Sequence, residues 1–347
     1  MSVYLITGAA GYIGSMLVKH LLNIRNDSIV IAFVRDSKKM RERLSDSFTL
    51  SNKKDLSGEK AISVMNMDLS RLKLFQRDLC DELVLNQFCE KIEKIDYVIH
   101  CASVTSSLEM AVHPVEVIKS IVNTTQNVLE LARRYEIKSM VYLSSMEVYG
   151  DMDNSDHRVT EQEDAVGRVE LLAARSCYPL GKRMAENICY SYFKEYGIPV
   201  KIARLAQTFG RGILPSDNRV FAQFARSVMA GKDIILHTDG SSMGNYCGID
   251  DAVNGILTIL EYGQNGEAYN VVNEENTMTI RQMAELVAVQ TAGGRIKVRC
   301  EIPSGNPYGY AAFTGLRLSG EKLLKLGWRP EKHLTDMYQE MLEDMSK

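Results

Sequence analysis

Tryptophan occurs once, histidine six times and proline seven times in the 347 residues. So little proline leaves no Pro-rich linker or polyproline segment. The seven cysteines (80, 89, 101, 177, 189, 247 and 300) form no C-x-x-C pair, and neither they nor the scattered histidines show zinc-ligand spacing. This predicts reduced thiols in a cytoplasm and no metal. No apolar run approaches the roughly 18 residues that span a membrane. An apolar run opening at Val3 also leaves no room for a signal peptide. Lys and Arg total 41 against 44 Asp and Glu, a net charge of −3, so no electrostatic case exists for nucleic acid or an anionic membrane. What remains, 45% hydrophobic and 24% charged, is the composition of a soluble globular chain. Its length suggests about two domains.

Strand-like and helix-like runs alternate through the first two hundred residues. Val3–Ile6, Ser28–Val34, Ala61–Met65, Asp96–Cys101, Ser139–Ser144 and Pro199–Leu205 read as continuously apolar strands, the pattern of a parallel sheet covered on both faces. Helices are predicted near 37–50, 80–94, 113–135 and 179–197, while 51–60 and 70–79 read as surface excursions. The fold class is therefore α/β, a Rossmann-type doubly wound parallel sheet with a smaller C-terminal α/β region for substrate. The predicted division is 1–210 and 211–347, with about 245–262 returning to the first domain. Further helices are expected near 219–230 and 279–291.

The segment Gly8-Ala9-Ala10-Gly11-Tyr12-Ile13-Gly14 joins the first strand to an apolar-periodic helix. Glycine permits a tight turn and close approach of backbone amides to a pyrophosphate. The helix start behind it suits an anion. In this context the three glycines predict a dinucleotide site.

Tyr178 and Lys182 stand four apart around an early helical Pro179, which places both on one helix face. An adjacent ammonium favours phenolate, giving a general base for a sugar or alcohol hydroxyl. Tyr190 and Lys194 repeat the spacing but lack a companion, and read as core and surface. The companion of Tyr178 is the small-polar stretch Leu143-Ser144-Ser145-Met146-Glu147-Val148-Tyr149-Gly150, at the carboxyl end of a predicted strand, where open α/β sheets bind ligands. Ser145 there can hydrogen-bond the reacting oxygen and share its proton with Tyr178.

Gly8/Gly11/Gly14, Asp68-Leu69, His100-Cys101-Ala102-Ser103, Ser144-Ser145 with Val148-Tyr149-Gly150, Tyr178 with Lys182, and Leu326-Gly327-Trp328-Arg329-Pro330 together resemble the extended short-chain dehydrogenase/reductases. Arg175–Glu186 is most similar to their nucleotide-sugar branch, and UDP-glucuronate decarboxylases are the nearest pattern. The resemblance implies a nicotinamide cofactor, a Ser145/Tyr178/Lys182 triad, and cofactor contacts from Tyr12, Ile13, Cys101, Ala102, Ser103 and Asn123. It also implies Asp68 and Leu69 near the adenine, and a homodimer. Glu147 matches an acid of the decarboxylases and dehydratases, and is either a second acid/base or a solvated strand-end carboxylate. Met146 stands where the 4,6-dehydratases carry an acid, which disfavours dehydration.

Met243-Gly244 replaces the usual Thr-Arg whose guanidinium grips the substrate diphosphate, and Gln207 replaces a usual Asn. Arg211 and Arg219 are the candidate replacements, and a Gly244→Arg change would tighten binding if that pocket survives. Where NAD-preferring members carry an acid after the second strand, this chain has Val34 followed by Arg35. Arg35, with Lys38 or Lys39, either clamps an NADP 2′-phosphate or faces solvent. Three readings stay open: an NAD(P)-dependent enzyme that decarboxylates or epimerises a nucleotide sugar through transient C4 oxidation, an NADPH-dependent reductase of a keto-sugar or other carbonyl, or a non-catalytic Rossmann binding protein.

Overall fold

The computed structural model describes residues 1–25, 27–45, 68–81, 83–152, 157–162, 166–304 and 313–347. Strand β1 (Ser2–Thr7) leads through helix α1 (Tyr12–Ile24) to β2 (Ser28–Val34) and α2 (Ser37–Ser45). Strand β3 (Leu72–Gln76), α3 (Leu83–Cys89) and β4 (Tyr97–His100) follow. Two helices, α4 (Ser107–Val112) and α5 (Pro114–Arg134), precede β5 (Ser139–Ser145). Helix α6 (Cys177–Tyr196) then leads to β6 (Val200–Leu205).

These six strands and Ala268–Val271 form one sheet. From one edge the order is Ala268–Val271, β6, β5, β4, β1, β2, β3. Strand β1 pairs in parallel with β2 and with β4, β2 with β3, and β4 with β5. The continuous apolar runs are buried because helices cover both faces; Leu5, Val98, Met140 and Phe88 are among the core side chains. Helix α5 opens on Pro114, whose missing N–H costs nothing at that position, and ends on Arg133 and Arg134, which suit the negative helix terminus.

One reading is corrected. The stretch 70–79 is not a surface excursion, because Leu72–Gln76 is the edge strand β3. With β2 as its single neighbour among the described residues it is only half buried, and its Leu-Lys-Leu-Phe-Gln sequence lacks the unbroken apolarity that marks the inner strands. The strand expected at 61–65 lies outside the described residues.

The chain divides into two compact units: Met1–Val148, Val169–Ala203 and Ile256–Ala268 in the first, and Tyr149–Arg168, Arg204–Gly255 and Tyr269–Lys347 in the second. Residues 149–168 thus fall outside the first unit, and 256–268 return to it rather than 245–262. In the second unit β7 (Gln207–Phe209), β8 (Ile234–Leu236) and β9 (Met243–Gly248) come first. Strand β9 pairs in parallel with β7 and antiparallel with Asn273–Thr279. Trp328 is buried there and donates its indole N–H to the Asp251 carbonyl at 3.0 Å. Among the described residues no helix is long and apolar enough to cross a membrane.

Candidate active site

The connections leaving β1 and β4, neighbours at the centre of the sheet, run to opposite sides, and open α/β sheets bind ligands at such a switch point. Gly8 follows β1 at φ +62°, and a Cβ there would lie 2.7 Å from the Ala102 nitrogen and 2.9 Å from the Cys101 carbonyl carbon. A Cβ on Gly14 would fall on the Gly8 carbonyl oxygen. Gly11 donates its N–H to that same oxygen at 2.8 Å, and α1 starts without a side-chain cap. The result is a cradle of main chain at a helix start, which fits the pyrophosphate of a dinucleotide.

A buried polar chain fixes this cradle from below. Thr125 donates its hydroxyl to the Ile121 carbonyl at 2.6 Å, so it must accept the His100 Nε2–H at 3.2 Å. His100 Nδ1 then accepts from the Thr7 hydroxyl at 2.6 Å, and Thr7 accepts the Ala102 N–H at 3.3 Å. Burial, reinforced by the Lys182 charge, pushes the His100 imidazole down to about 3. His100 is therefore a neutral strut that sets the height of Ala102.

Arg35 follows β2 and is exposed, while the Asp36 carboxylate beside it caps α2 by accepting the Lys38 and Lys39 amides at 2.9 and 3.1 Å. At the carboxyl end of β3 stand Arg77, Asp78 and Leu79. Asp78 accepts the Cys80 amide at 2.9 Å, and Asn127 of α5 donates to the Leu79 carbonyl at 2.7 Å. Burial pushes the Cys80 thiol up to about 11; the Asp78 charge adds to the shift and Arg35 opposes it. Arg35, Asp78 and Cys80 thus share one corner.

The structure does not bring Asp68, Leu69 or Asn123 to this site. Asp68 caps a short turn before β3 and pairs with Arg71 at 3.4 Å. Arg71 in turn donates to the Arg25 and Ser28 carbonyls at 2.7 and 3.2 Å, at the amino end of β2. Asp68 and the exposed Leu69 therefore sit at the wrong end of the parallel sheet, and Asp78-Leu79 holds the position expected of them. The missed signal was an acid after an edge strand, Leu74-Phe75-Gln76-Arg77-Asp78. Asn123 is exposed on α5, whereas Ile121, two residues earlier, packs against Gly181 of α6. Ser103 lies beside Ala102, its hydroxyl 3.4 Å from the Val104 carbonyl.

Ser145 ends β5, and Tyr178 and Lys182 are buried on the first turns of α6. The Ser145 hydroxyl faces the Tyr178 phenol and accepts the Glu147 amide at 3.2 Å. Burial holds this phenol well above its ordinary value; the Glu147 charge adds to that, while Ser145 and Arg175 oppose it. Lys182 donates to the Leu143 carbonyl at 2.7 Å and stands 5.8 Å from the centre of the Tyr178 ring. Burial draws its ammonium down to about 8, against raising contributions led by Glu186. Arg175 donates to both Glu147 oxygens, at 2.9 and 3.0 Å. Serine, tyrosine, lysine and glutamate are therefore brought together, and the arginine partner is one that sequence reasoning left without a role.

The second unit carries Gln207, Arg211 and Arg219. Gln207 is half-buried on β7. Arg211 pairs with Asp250, at 2.9 Å through Nε. Arg219 forks onto Asp217, with Nε 3.1 Å from each oxygen, and lies over the Phe221 ring. Around Gly244 the pocket posited for an arginine does not survive, because a Cβ there would overlap the Tyr246 hydroxyl. That phenol is buried without a hydrogen-bond partner, so it fills the space but leaves an acceptor and donor unused. Gly244→Arg consequently has no room to tighten anything.

The chain is 29% identical over 283 residues to UDP-glucuronic acid decarboxylase 6 of Arabidopsis thaliana, covering 82% of this chain and 72% of that one. A UDP-glucose 4-epimerase from Thermotoga maritima, solved with UDP-glucose, shares the fold at a TM-score of 0.76 and 22% identity, covering 99% of this chain and 98% of that chain. A UDP-glucuronic acid 4-epimerase from Bacillus cereus, solved with UDP-glucuronic acid and NAD, does so at 0.75 and 20%, covering 99% of each. Residues 4–272 match the family model itself, and the chain is accordingly an enzyme of the NAD dependent epimerase/dehydratase family.

Proposed function

We propose that this enzyme prefers NADP and modifies a nucleotide sugar by transient oxidation at C4, the ketone permitting decarboxylation or epimerisation before the hydride returns. The observation that carries the reading is the Ser145–Tyr178–Lys182 constellation at the carboxyl end of β5. The decarboxylase relatives support the substrate class. A nicotinamide dinucleotide held by Gly8, Gly11, Tyr12, Ile13, Gly14 and Ala102 would supply the hydride acceptor and, as a cation, favour phenolate. Tyr178 then takes the C4 hydroxyl proton while Ser145 orients that oxygen. Lys182 lends positive charge beside the ring, and Tyr178 gives the proton back to the C4 oxygen as the hydride returns. Glu147 stands ready as a second acid/base. Within the second unit Arg211 and Arg219 would exchange their aspartates for a substrate diphosphate, and Gln207 offers its amide to the substrate.

Exposed apolar residues on α4 and α5 (Leu108, Val112, Val115, Ile118) support a homodimer, and seven free cysteines support a cytoplasmic setting. A panel of nucleotide sugars with product mass analysis tests the substrate class. Conversion of UDP-glucuronic acid without net cofactor use supports the reading, and no conversion of any member overturns it.

A second reading, net NADPH-dependent reduction of a keto-sugar or another carbonyl, is favoured by Arg35 and by Tyr246 filling the space beside Gly244. Stoichiometric NADPH consumption would select it.

Cofactor preference has its own test. Arg35→Asp removes a phosphate partner and adds repulsion, so the ratio of NADP to NAD affinity falls roughly tenfold or more, the scale of one lost charge-assisted bond. Titration of both cofactors against both proteins reads this directly, and an unchanged ratio means that Arg35 only faces solvent.

A further inference from the structure

We propose that Arg175 is a positioning residue of the active site: its guanidinium fixes Glu147 and cancels that carboxylate's charge beside the Tyr178 phenol. The proposal deepens the function above and rests on Tyr178 as the proton acceptor. Arg175 lies in the one-turn segment Ala174–Ser176 that runs directly into α6, so the backbone that carries the base also carries the guanidinium. Its two terminal nitrogens donate to Glu147 Oε2 at 2.9 Å and Oε1 at 3.0 Å, a planar fork that a lysine cannot reproduce. From its other side Glu147 is held through its amide on the Ser145 hydroxyl.

Side-chain exposures of 41% for Arg175 and 34% for Glu147 put the pair at the rim of the site rather than in the core. A half-exposed ion pair adds little to stability. Its consequence lies in the field at Tyr178, where Glu147 disfavours phenolate and Arg175 favours it. The groups that face this phenol are Tyr142 and Ser145 of β5, Glu147, Arg175, and Lys182 of α6. Only Glu147, Arg175 and Lys182 among them carry a full charge at neutral pH. Removing Arg175 therefore leaves one anion and one cation where there were one anion and two cations. It also frees the Glu147 side chain to turn.

The sign follows. Loss of a neighbouring cation disfavours phenolate, so Tyr178 deprotonates at higher pH. In Arg175→Met the acid limb of the kcat profile moves up by about one pH unit or more, and activity on that limb falls at least about tenfold while cofactor affinity is kept. Adding Glu147→Gln removes the uncompensated anion and brings the position of the limb back, whatever happens to its height. Arg175→Lys keeps the charge without the fork, so the limb stays near wild type and only kcat falls.

A readout without substrate runs in parallel on the NADP-loaded protein: ring-labelled tyrosine NMR, with Tyr178→Phe assigning the resonance. That resonance titrates at higher pH in Arg175→Met and returns in the double variant. An unmoved limb and resonance in Arg175→Met, or a double variant no closer to wild type, overturns the proposal. If wild-type enzyme converts no nucleotide sugar while the Tyr178 resonance shifts as described, the substrate reading fails and the role of Arg175 stands.

Discussion

Tyr178→Phe lowers turnover by about 10²–10⁴, the usual worth of a positioned general base, and leaves cofactor affinity nearly intact. Phenylalanine keeps the buried ring that packs at the start of α6 and deletes the one atom that takes the proton. The Gly8–Ala102 cradle does not involve that atom. Steady-state kinetics and a cofactor titration on the same preparation separate the two effects. Activity within threefold of wild type would contradict the assignment and turn attention to Tyr190. That residue is half-exposed on α6, with Lys194 5.3 Å from its ring centre, and it lacks a serine partner of the Ser145 kind among the described contacts.

Gly8→Val abolishes useful cofactor binding. Two independent costs coincide at this position. The backbone sits at φ +62°, where a β-branched residue is strained by about 1–3 kcal/mol. The new Cβ would also press on the Ala102 nitrogen and Cα at 2.7 and 2.8 Å, both main chain. Ala102 cannot yield cheaply, because its amide is tied through Thr7 to the buried His100 strut. Cofactor affinity should fall on the order of a hundredfold, which about 2.7 kcal/mol produces. Equilibrium titration reads the loss, and circular dichroism checks that the sheet persists. Native-like affinity in a folded variant would show that the cofactor does not lie over this turn.

The parts of this molecule that were legible in the sequence are those governed by local physics. Unbroken apolar runs mark the inner strands because both faces of a parallel strand are covered, and Ser28–Val34 and Ser139–Ser145 read directly. The glycine turn was legible because its three glycines answer to steric demands that no other residue meets. Tyr178 and Lys182 were legible through helical spacing. What escaped was decided by neighbours remote in sequence.

The edge strand β3 is half-solvated, so Leu-Lys-Leu-Phe-Gln resembles a surface segment and hides the acid at its end, Asp78. Asn123 is exposed, turned by about 200° around the axis of α5 from Ile121, which packs against Gly181. Arg175 and Glu147 meet across 28 residues of chain, a pairing that spacing cannot announce. At Gly244 the lost arginine was visible, but the Tyr246 phenol filling its place was not.

The central claim is a redox-neutral cycle in which Tyr178 takes the C4 proton and the hydride returns to the same sugar. Its most direct test is UDP-glucuronic acid deuterated at C4, incubated with the cofactor-loaded enzyme and followed by product mass. The account predicts a decarboxylated or epimerised product that keeps the deuterium, with no net change in the nicotinamide. Product formed with the deuterium lost, or only with stoichiometric NADPH consumed, would contradict it.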